Sequence, residues 1–196
     1  MTSPPPPAAA STLNAANALT VLRLVLVPVF AWLVIASQMT DAPWRIAAAA
    51  AFGIASATDF VDGWLARAWD QVTSFGKIAD PIADKALTGA ALVLLSGYGL
   101  LPWWVTGLIL VREIGVTVIR FWVIRYGVIA ASRGGKLKTA LQITAIVWYL
   151  LPLPAALAAL APWVMAAAVV VTVVTGFDYT LRAWRLRRSA TAPVER

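Results

Sequence analysis

Four aspartates in a strongly hydrophobic sequence are the residues whose types and spacing point most directly to chemistry. Asp59 and Asp62 are three residues apart, and Asp80 and Asp84 are four residues apart. On a helix, either spacing places both carboxylates on the same face. Four carboxylates brought close together would repel one another and take up protons unless cations compensate them. Because hard oxygen ligands suit Mg²⁺ and Mn²⁺, the pattern favours a site for divalent ions that could bridge a pyrophosphate.

The spacing of the aspartates alone leaves two other interpretations open. The carboxylates could form structural ion pairs with Arg67, Lys77 and Lys85, or they could line a proton or cation pathway in an ion-coupled transporter. A transporter of that kind should show internal repeats and acidic groups near the midplane of the membrane. The sequence shows no convincing repeat, and the aspartates lie toward one predicted surface.

The composition determines which elements must position these groups. Of the 196 residues, 61% are hydrophobic and 13% are charged, about half the charged fraction of an average soluble domain. Cysteine and histidine are absent, which excludes disulfides, thiolate zinc sites and imidazole bases. Any chemistry must therefore use carboxylates, hydroxyls, basic side chains and bound metal.

Six apolar segments predict an all-α integral membrane protein, because about 20 apolar residues are needed for a helix to cross a bilayer. The segments cover residues 18–37, 44–66, 75–98, 102–125, 137–153 and 162–183. The second and third are joined by a short turn, so we expect them to be antiparallel neighbours whose acidic faces meet. We expect a disordered tail over residues 1–16, a membrane domain over 17–184 and a basic tail over 185–196.

The distribution of lysine and arginine predicts a six-transmembrane-helix bundle with both termini in the cytoplasm. The loops after the second and fourth segments and the C-terminal tail are rich in these residues, whereas the opposite side carries only Arg45. The aspartates would then lie at the cytoplasmic face of a multi-pass protein of the plasma or inner membrane. The net charge of +7 follows from this bias and suits anionic membrane lipids, so we expect no nucleic-acid partner.

The order of residues around the aspartates is more specific than their spacing. It reads Asp59-x₂-Asp62-Gly63-x₂-Ala66-Arg67-x₈-Gly76-x₃-Asp80-x₃-Asp84. At every specified position this order resembles the signature of the CDP-alcohol phosphotransferase family. The resemblance covers nearly the whole chain, leaving out the proline-rich start and the basic tail. Weaker matches at residues 17–28, 112–113 and 135–139 favour the members of the family that use glycerol 3-phosphate.

The resemblance implies a phosphatidyltransferase of phospholipid synthesis that uses two ions of Mg²⁺ or Mn²⁺. Asp59, Asp62 and Asp80 would hold the first ion, and Asp59, Asp80 and Asp84 would hold the second. The pyrophosphate of CDP-diacylglycerol would lie on these metals. Asp84 would also be the general base that takes the proton of the acceptor hydroxyl, and CMP would depart in a single displacement.

The resemblance also implies a set of residues that bind the nucleotide of the donor. They are Asn17, Thr20, Asp59, Gly63, Ala66 and Arg67. Thr73 and Ser74 are added as candidates because they lie in the turn between the acidic pairs. Asn17 and Thr20 have an alternative role as caps of the first helix. Thr73 and Ser74 could bond the nucleotide or simply close the loop between the acidic pairs.

An acceptor such as glycerol 3-phosphate brings a dianionic phosphate that needs cations. The candidates are Arg112, Arg120, Lys136 and Lys138. Arg112 lies inside an apolar segment, where an idle cation is unfavourable, whereas Lys136 and Lys138 could equally serve membrane topology. Phosphatidylglycerol, as in a cardiolipin synthase, inositol phosphate and serine stay open as other acceptors. A homodimer is expected by resemblance only.

Overall fold

In the computed structural model, the backbone is described over longer ranges than the side chains. The backbone is described for residues 15–68, 74–123 and 133–191, and the side chains for residues 18–58, 82–123 and 134–188. No strand occurs in these ranges, and the described residues outside short turns are helical. The prediction of an all-α fold is therefore confirmed, while the count of six spans stays a prediction.

Within the described ranges, six long helices and one short helix follow one another. They are α1 (Ala15–Ser37), α2 (Ala42–Ala68), α3 (Ser74–Gly97), α4 (Trp103–Val123), α5 (Arg133–Leu150), α6 (Ala155–Ala158) and α7 (Ala161–Thr191). Each long helix contains most of one predicted apolar segment. The stretches Ala18–Ser37 and Ala155–Arg188 are long and apolar enough to cross a membrane by length and composition.

The first and last helices extend past the limits predicted for the membrane domain, while the division into domains stays a prediction. Helix α1 begins at Ala15, inside the segment predicted as a disordered tail, and α7 continues to Thr191, inside the segment predicted as a basic tail. Helix α5 ends at Leu150 rather than at residue 153, because Pro152 and Pro154 follow, and proline has no N–H to continue the helical hydrogen bonds.

The hydrophobic core lies where the six long helices meet. The rings of Phe30 and Phe52 pack with their centroids 5.5 Å apart, and both side chains are fully buried together with Leu92 and Ile146. The most extensive contacts are those of α1 with α2 and of α5 with α7. This core holds the helices in register around the polar residues described below.

Two tight turns lie at one end of the bundle. Gln38 and Met39 adopt positive φ angles of 45° and 53° between α1 and α2, and Gly99 has a φ of 71° after α3. Trp32 and Trp44 pack edge to face with their centroids 5.3 Å apart across the first turn. Because each turn reverses the chain, the end of α2 and the start of α3 lie at the opposite end, which we call the aspartate end.

Arg45, the single basic residue predicted on the side opposite the aspartates, joins α2 to α5. Its Nε donates to the carbonyl oxygen of Leu150 at 3.0 Å. One terminal nitrogen donates to the carbonyl oxygens of Tyr149 and Leu151 at 3.0 and 2.9 Å. The last carbonyls of a helix lack helical partners and carry partial negative charge, so Arg45 caps α5.

Candidate active site

The two acidic pairs lie on neighbouring helices at the aspartate end. Asp59 and Asp62 belong to the last turns of α2, and Asp80 and Asp84 belong to the first half of α3. The two helices contact each other, as their short connection requires. The side chains of Asp59, Asp62 and Asp80 lie outside the described residues. The convergence of the four carboxylates therefore stays a prediction.

Most of the predicted nucleotide-binding residues also lie outside the described side chains. This holds for Asn17, Gly63, Ala66, Arg67 and Ser74, whose backbones are helical, and Thr73 lies outside the described backbone as well. Thr20 is described, and it is almost completely buried in α1. Because α1 already begins at Ala15, Thr20 lies too far along the helix to be its N-cap.

Arg23 is a buried cation beside the acidic end of α2; it belongs to the weaker family match over residues 17–28, but the sequence analysis gave it no role. Its side chain is fully buried, and its Nε donates to the carbonyl oxygen of Ala55 at 3.3 Å. Ala55 precedes Asp59 by four residues, or about one helical turn. A cation in the middle of an apolar segment was the signal that could have identified it, since such residues are usually functional.

A cavity of about 120 Å³ lies between α3, α4 and α5. Its polar wall is formed by Asp84, Lys85, Thr88, Glu113, Lys138, Thr139 and Gln142, and the remaining lining is Gly89, Ile109, Leu110, Ile114 and Ile143. Asp84 is the one predicted metal ligand whose side chain is described. It shares this cavity with Lys138, one of the predicted acceptor residues.

Glu113 of α4 links two cations at the edge of the cavity. Its Oε1 accepts hydrogen bonds from Nη1 of Arg112 at 3.1 Å and from Nζ of Lys138. All three side chains are less than one-fifth exposed. Buried charges are unfavourable unless they are paired and hydrogen-bonded. The carboxylate of Glu113 therefore permits two cations to lie here with little solvent.

The other nitrogens of Arg112 are engaged by α7. Nε donates to the carbonyl oxygen of Thr172 at 3.1 Å, and Nη2 donates to Oγ1 of Thr175 at 3.0 Å. Arg112 is not among the residues that line the cavity. Its guanidinium is thus held between α4 and α7, and its direct contact with an acceptor phosphate stays a prediction.

The two remaining acceptor candidates lie away from the cavity wall. Lys136 is exposed in the first turns of α5, and Arg120 is exposed near the end of α4. The guanidinium carbon of Arg120 lies 6.0 Å from the ring centroid of Tyr179 on α7. Of the four predicted cations, the structure places only Lys138 in the same cavity as Asp84. The roles of the other candidates stay predictions.

Gln142 and Thr172 complete the polar cluster, and the sequence analysis missed both. Nε2 of Gln142 donates to Oγ1 of Thr172 at 3.0 Å, and both side chains are buried. Gln142 lies four residues after Lys138 and so on the same face of α5. A polar residue at that spacing from a buried lysine was the available signal.

Asp84 is the one member of the expected metal-binding set whose side chain the structure describes. Among the described side chains, no three acidic or other metal-ligating groups come together. Asp84 supplies carboxylate oxygens to a polar cavity next to the helices that carry the other three aspartates. A carboxylate donor set of this kind suits Mg²⁺ or Mn²⁺.

Comparisons with known proteins identify the family. The family model for CDP-alcohol phosphatidyltransferases matches residues 13–174. A "Probable phosphatidylglycerophosphate synthase" of Mycobacterium tuberculosis (strain ATCC 25618 / H37Rv) is 54% identical over 172 residues, which cover 88% of this chain and 82% of the relative.

Two further relatives are both named "CDP-diacylglycerol--glycerol-3-phosphate 3-phosphatidyltransferase". The relative of Bacillus subtilis (strain 168) is 39% identical over 193 residues, which cover 90% of this chain and 98% of the relative. The relative of Escherichia coli (strain K12) is 40% identical over 143 residues, covering 70% of this chain and 76% of the relative. These matches confirm the family expected from the aspartate signature: the chain belongs to the CDP-alcohol phosphatidyltransferases.

Proposed function

We propose that the protein transfers the phosphatidyl group of CDP-diacylglycerol to glycerol 3-phosphate, giving phosphatidylglycerophosphate and CMP. The relatives named for this product or this reaction are 39 to 54% identical to the chain. The observation that carries the proposal within the structure is the cavity that Asp84 shares with Lys138. A carboxylate suited to take a proton and a cation suited to a phosphate thus face the same space.

The residues that would hold the metals are Asp59, Asp62, Asp80 and Asp84. Bound Mg²⁺ or Mn²⁺ would offset the negative charge on the diphosphate of the donor and on the departing CMP. The two helices that carry these carboxylates are consecutive and in contact. The backbone of the chain is therefore arranged so that four acidic positions lie at one end of the bundle.

Asp84 would accept the proton of the attacking hydroxyl of the acceptor. As that hydroxyl oxygen bonds to the phosphorus attached to diacylglycerol, the bond from this phosphorus to CMP breaks, and CMP leaves with the bonding electrons. The proton moves to the carboxylate of Asp84, and no covalent intermediate with the chain is needed. Positioning of the hydroxyl beside this base supplies part of the rate.

Lys138 would bind the phosphate of glycerol 3-phosphate. Its ammonium reaches the cavity wall, where Glu113 fixes its position. Two cations, Lys85 and Lys138, and two carboxylates, Asp84 and Glu113, line the cavity, and Arg112 outside the lining shares the charge of Glu113. Because Arg112 offsets Glu113, the ammonium of Lys138 can interact with a phosphate in this poorly solvated site.

The exposed face of α7 supports a position across the membrane. An apolar stripe runs along it from Trp163 through Val170, Val174 and Phe177 to Trp184, all of them exposed. The 21 residue steps from Trp163 to Trp184 correspond to a rise of about 31 Å, close to the thickness of about 30 Å of a bilayer core. Tryptophan at both ends suits the two membrane interfaces.

On this basis we place six spans in the plasma or inner membrane, with both termini and the aspartate end in the cytoplasm. The basic residues at the end of α7, which include Arg182, Arg185 and Arg188, are consistent with that orientation because cytoplasmic segments carry excess positive charge. The homodimer expected by resemblance is retained as part of the proposal.

The decisive experiment supplies purified protein with CDP-diacylglycerol, Mg²⁺ or Mn²⁺, and a panel of labelled acceptors. The panel contains glycerol 3-phosphate, phosphatidylglycerol, inositol phosphate and serine. We expect label from glycerol 3-phosphate to enter lipid with release of one CMP for each product, and EDTA to stop both. Consumption of phosphatidylglycerol without incorporation of glycerol 3-phosphate would instead identify a cardiolipin synthase.

A further inference from the structure

Gly176 of α7 has no side chain, and the side chain of Arg112 occupies the space beside it. A Cβ atom placed on Gly176 would be 3.0 Å from Nε of Arg112 and 3.1 Å from its Cγ. These separations are tighter than ordinary van der Waals contacts, and Gly176 is buried. The side chain of Arg112 thus crosses the backbone of α7 at a position where even a Cβ atom would require it to shift by a few tenths of an ångström. We call this space the Gly176 notch.

The contacts around the notch fix the direction of the guanidinium. Thr172 and Thr175 lie within one turn before Gly176 on α7 and accept hydrogen bonds from Nε and Nη2 at 3.1 and 3.0 Å. The remaining terminal nitrogen, Nη1, donates to Glu113. A planar guanidinium bound through all three nitrogens has one orientation available.

The effect of Arg112 on the cavity passes through Glu113. Glu113 and Lys138 line the cavity, whereas Arg112 does not. The same oxygen of Glu113 accepts from both cations. An unanchored glutamate and a lysine with four rotatable bonds would each sample several rotamers, so the position of the ammonium depends on the anchoring of the carboxylate.

We propose that Arg112 is a positioning residue: seated in the Gly176 notch, it fixes the carboxylate of Glu113, which presents the ammonium of Lys138 to the phosphate of the acceptor. The inference rests on the proposed function, because it assigns the phosphate of glycerol 3-phosphate to Lys138. Such preorganisation favours binding and reaction, since the cation need not be ordered when the substrate arrives.

The first test places a larger side chain at Gly176 and compares the effect with the same substitution at a glycine that has no close neighbours. Gly176→Val should displace Arg112, whereas Gly107→Val is a matched control, because a Cβ there meets no atom within 4 Å and Gly107 lies on the exposed face of α4. For Gly176→Val we expect the KM for glycerol 3-phosphate to rise about tenfold. The KM for CDP-diacylglycerol should stay within about twofold, and Gly107→Val should change neither.

The second test asks whether the notch and the carboxylate act as one unit. Glu113→Gln keeps the shape of the side chain but removes the charge that holds both cations, so it should raise the same KM by a similar factor. In the double variant with Gly176→Val, the two effects should be clearly less than multiplicative, because residues of one network are not independent. Multiplicative effects would overturn the proposal.

The possible results distinguish a positioning role of Arg112 from a purely structural role, and they distinguish failure of this inference from failure of the proposed function. A merely structural contact predicts a lower Tm for Gly176→Val with an unchanged KM for glycerol 3-phosphate, and that result rejects the positioning role. If the valine variant does not fold, Gly176→Ala, which introduces only the Cβ, is measured in the same way with Gly107→Ala. A wild-type protein that does not incorporate glycerol 3-phosphate rejects the proposed function itself.

Discussion

The side-chain amide of Gln142 donates a hydrogen bond of 3.0 Å to the hydroxyl of Thr172, and both side chains are buried. This contact joins α5 to α7 directly behind the cavity. The carbonyl oxygen of Thr172 also accepts from Arg112, so one residue of α7 is bonded to both helices that carry the cations. Thr172 thus contacts α5 through its hydroxyl and α4 through its main-chain carbonyl.

Replacing Thr172 with valine should destabilise the protein. The valine keeps the shape of the side chain but removes the hydroxyl, so the amide of Gln142 stays buried without that partner. We expect a loss of about 1–2 kcal/mol, seen as a lower Tm in detergent. Thr180→Val is the matched control, because the hydroxyl of Thr180 is exposed on the same helix and bonds only to the carbonyl of Gly176. Equal Tm values for the two variants would contradict the prediction.

Removing the cap that Arg45 places on α5 should also lower stability while sparing the chemistry. Arg45→Met keeps the length and apolar stem of the side chain but leaves the carbonyls of residues 149–151 without their donor. We expect a loss of about 1–2 kcal/mol, measured as Tm, with kcat unchanged below the unfolding transition.

The control for Arg45 is an arginine whose partner is a solvated carboxylate. Arg182 bonds to Asp178 at 2.9 Å, with side chains 55% and 46% exposed, and exposed pairs of this kind contribute little. Arg182→Met should therefore leave the Tm nearly unchanged. A loss for Arg182→Met as large as that for Arg45→Met would show that the cap has no special role.

The long helices and the acidic pairs could be predicted because both depend on local sequence. Apolar segments of about 20 residues predict the positions of the helices. Spacings of three and four residues predict that Asp59 and Asp62 share one helix face and that Asp80 and Asp84 share another. The end of the fifth helix was less predictable, since prolines after Leu150 end it three residues earlier than the apolar pattern does.

The partners of the basic residues could not be predicted, because they depend on contacts between distant parts of the chain. Arg45 bonds to carbonyls more than 100 residues away, and Arg112 bonds to residues of α7 about 60 positions later. The sequence predicted that Arg112 is a candidate to bind the acceptor phosphate, but it did not predict these partners. The space that Gly176 provides for it is a property of two packed helices.

The two lysines at the start of α5 should differ in their effect on acceptor binding. Lys138→Gln removes the ammonium from the cavity wall and leaves Glu113 with Arg112 alone. We expect its KM for glycerol 3-phosphate to rise about tenfold or more. Lys136 is exposed and does not line the cavity, so Lys136→Gln should change this KM less. A larger effect for Lys136→Gln would place the acceptor phosphate outside the cavity.

Neutralising the carboxylates of the aspartate end should abolish turnover while preserving the fold. Asp84→Asn removes the proposed base and one metal ligand, so we expect kcat to fall roughly 10²- to 10⁴-fold. Asp59→Asn and Asp80→Asn should likewise lose nearly all activity, because each aspartate is expected to be a ligand of both metal ions.

Asp178→Asn is the matched control, since it changes an aspartate that is half-exposed in an ion pair of α7. The measurement is Mg²⁺- or Mn²⁺-dependent release of CMP from CDP-diacylglycerol, with Tm as the test of folding. Folded aspartate variants that release CMP at the rate of the control would exclude the carboxylates from catalysis.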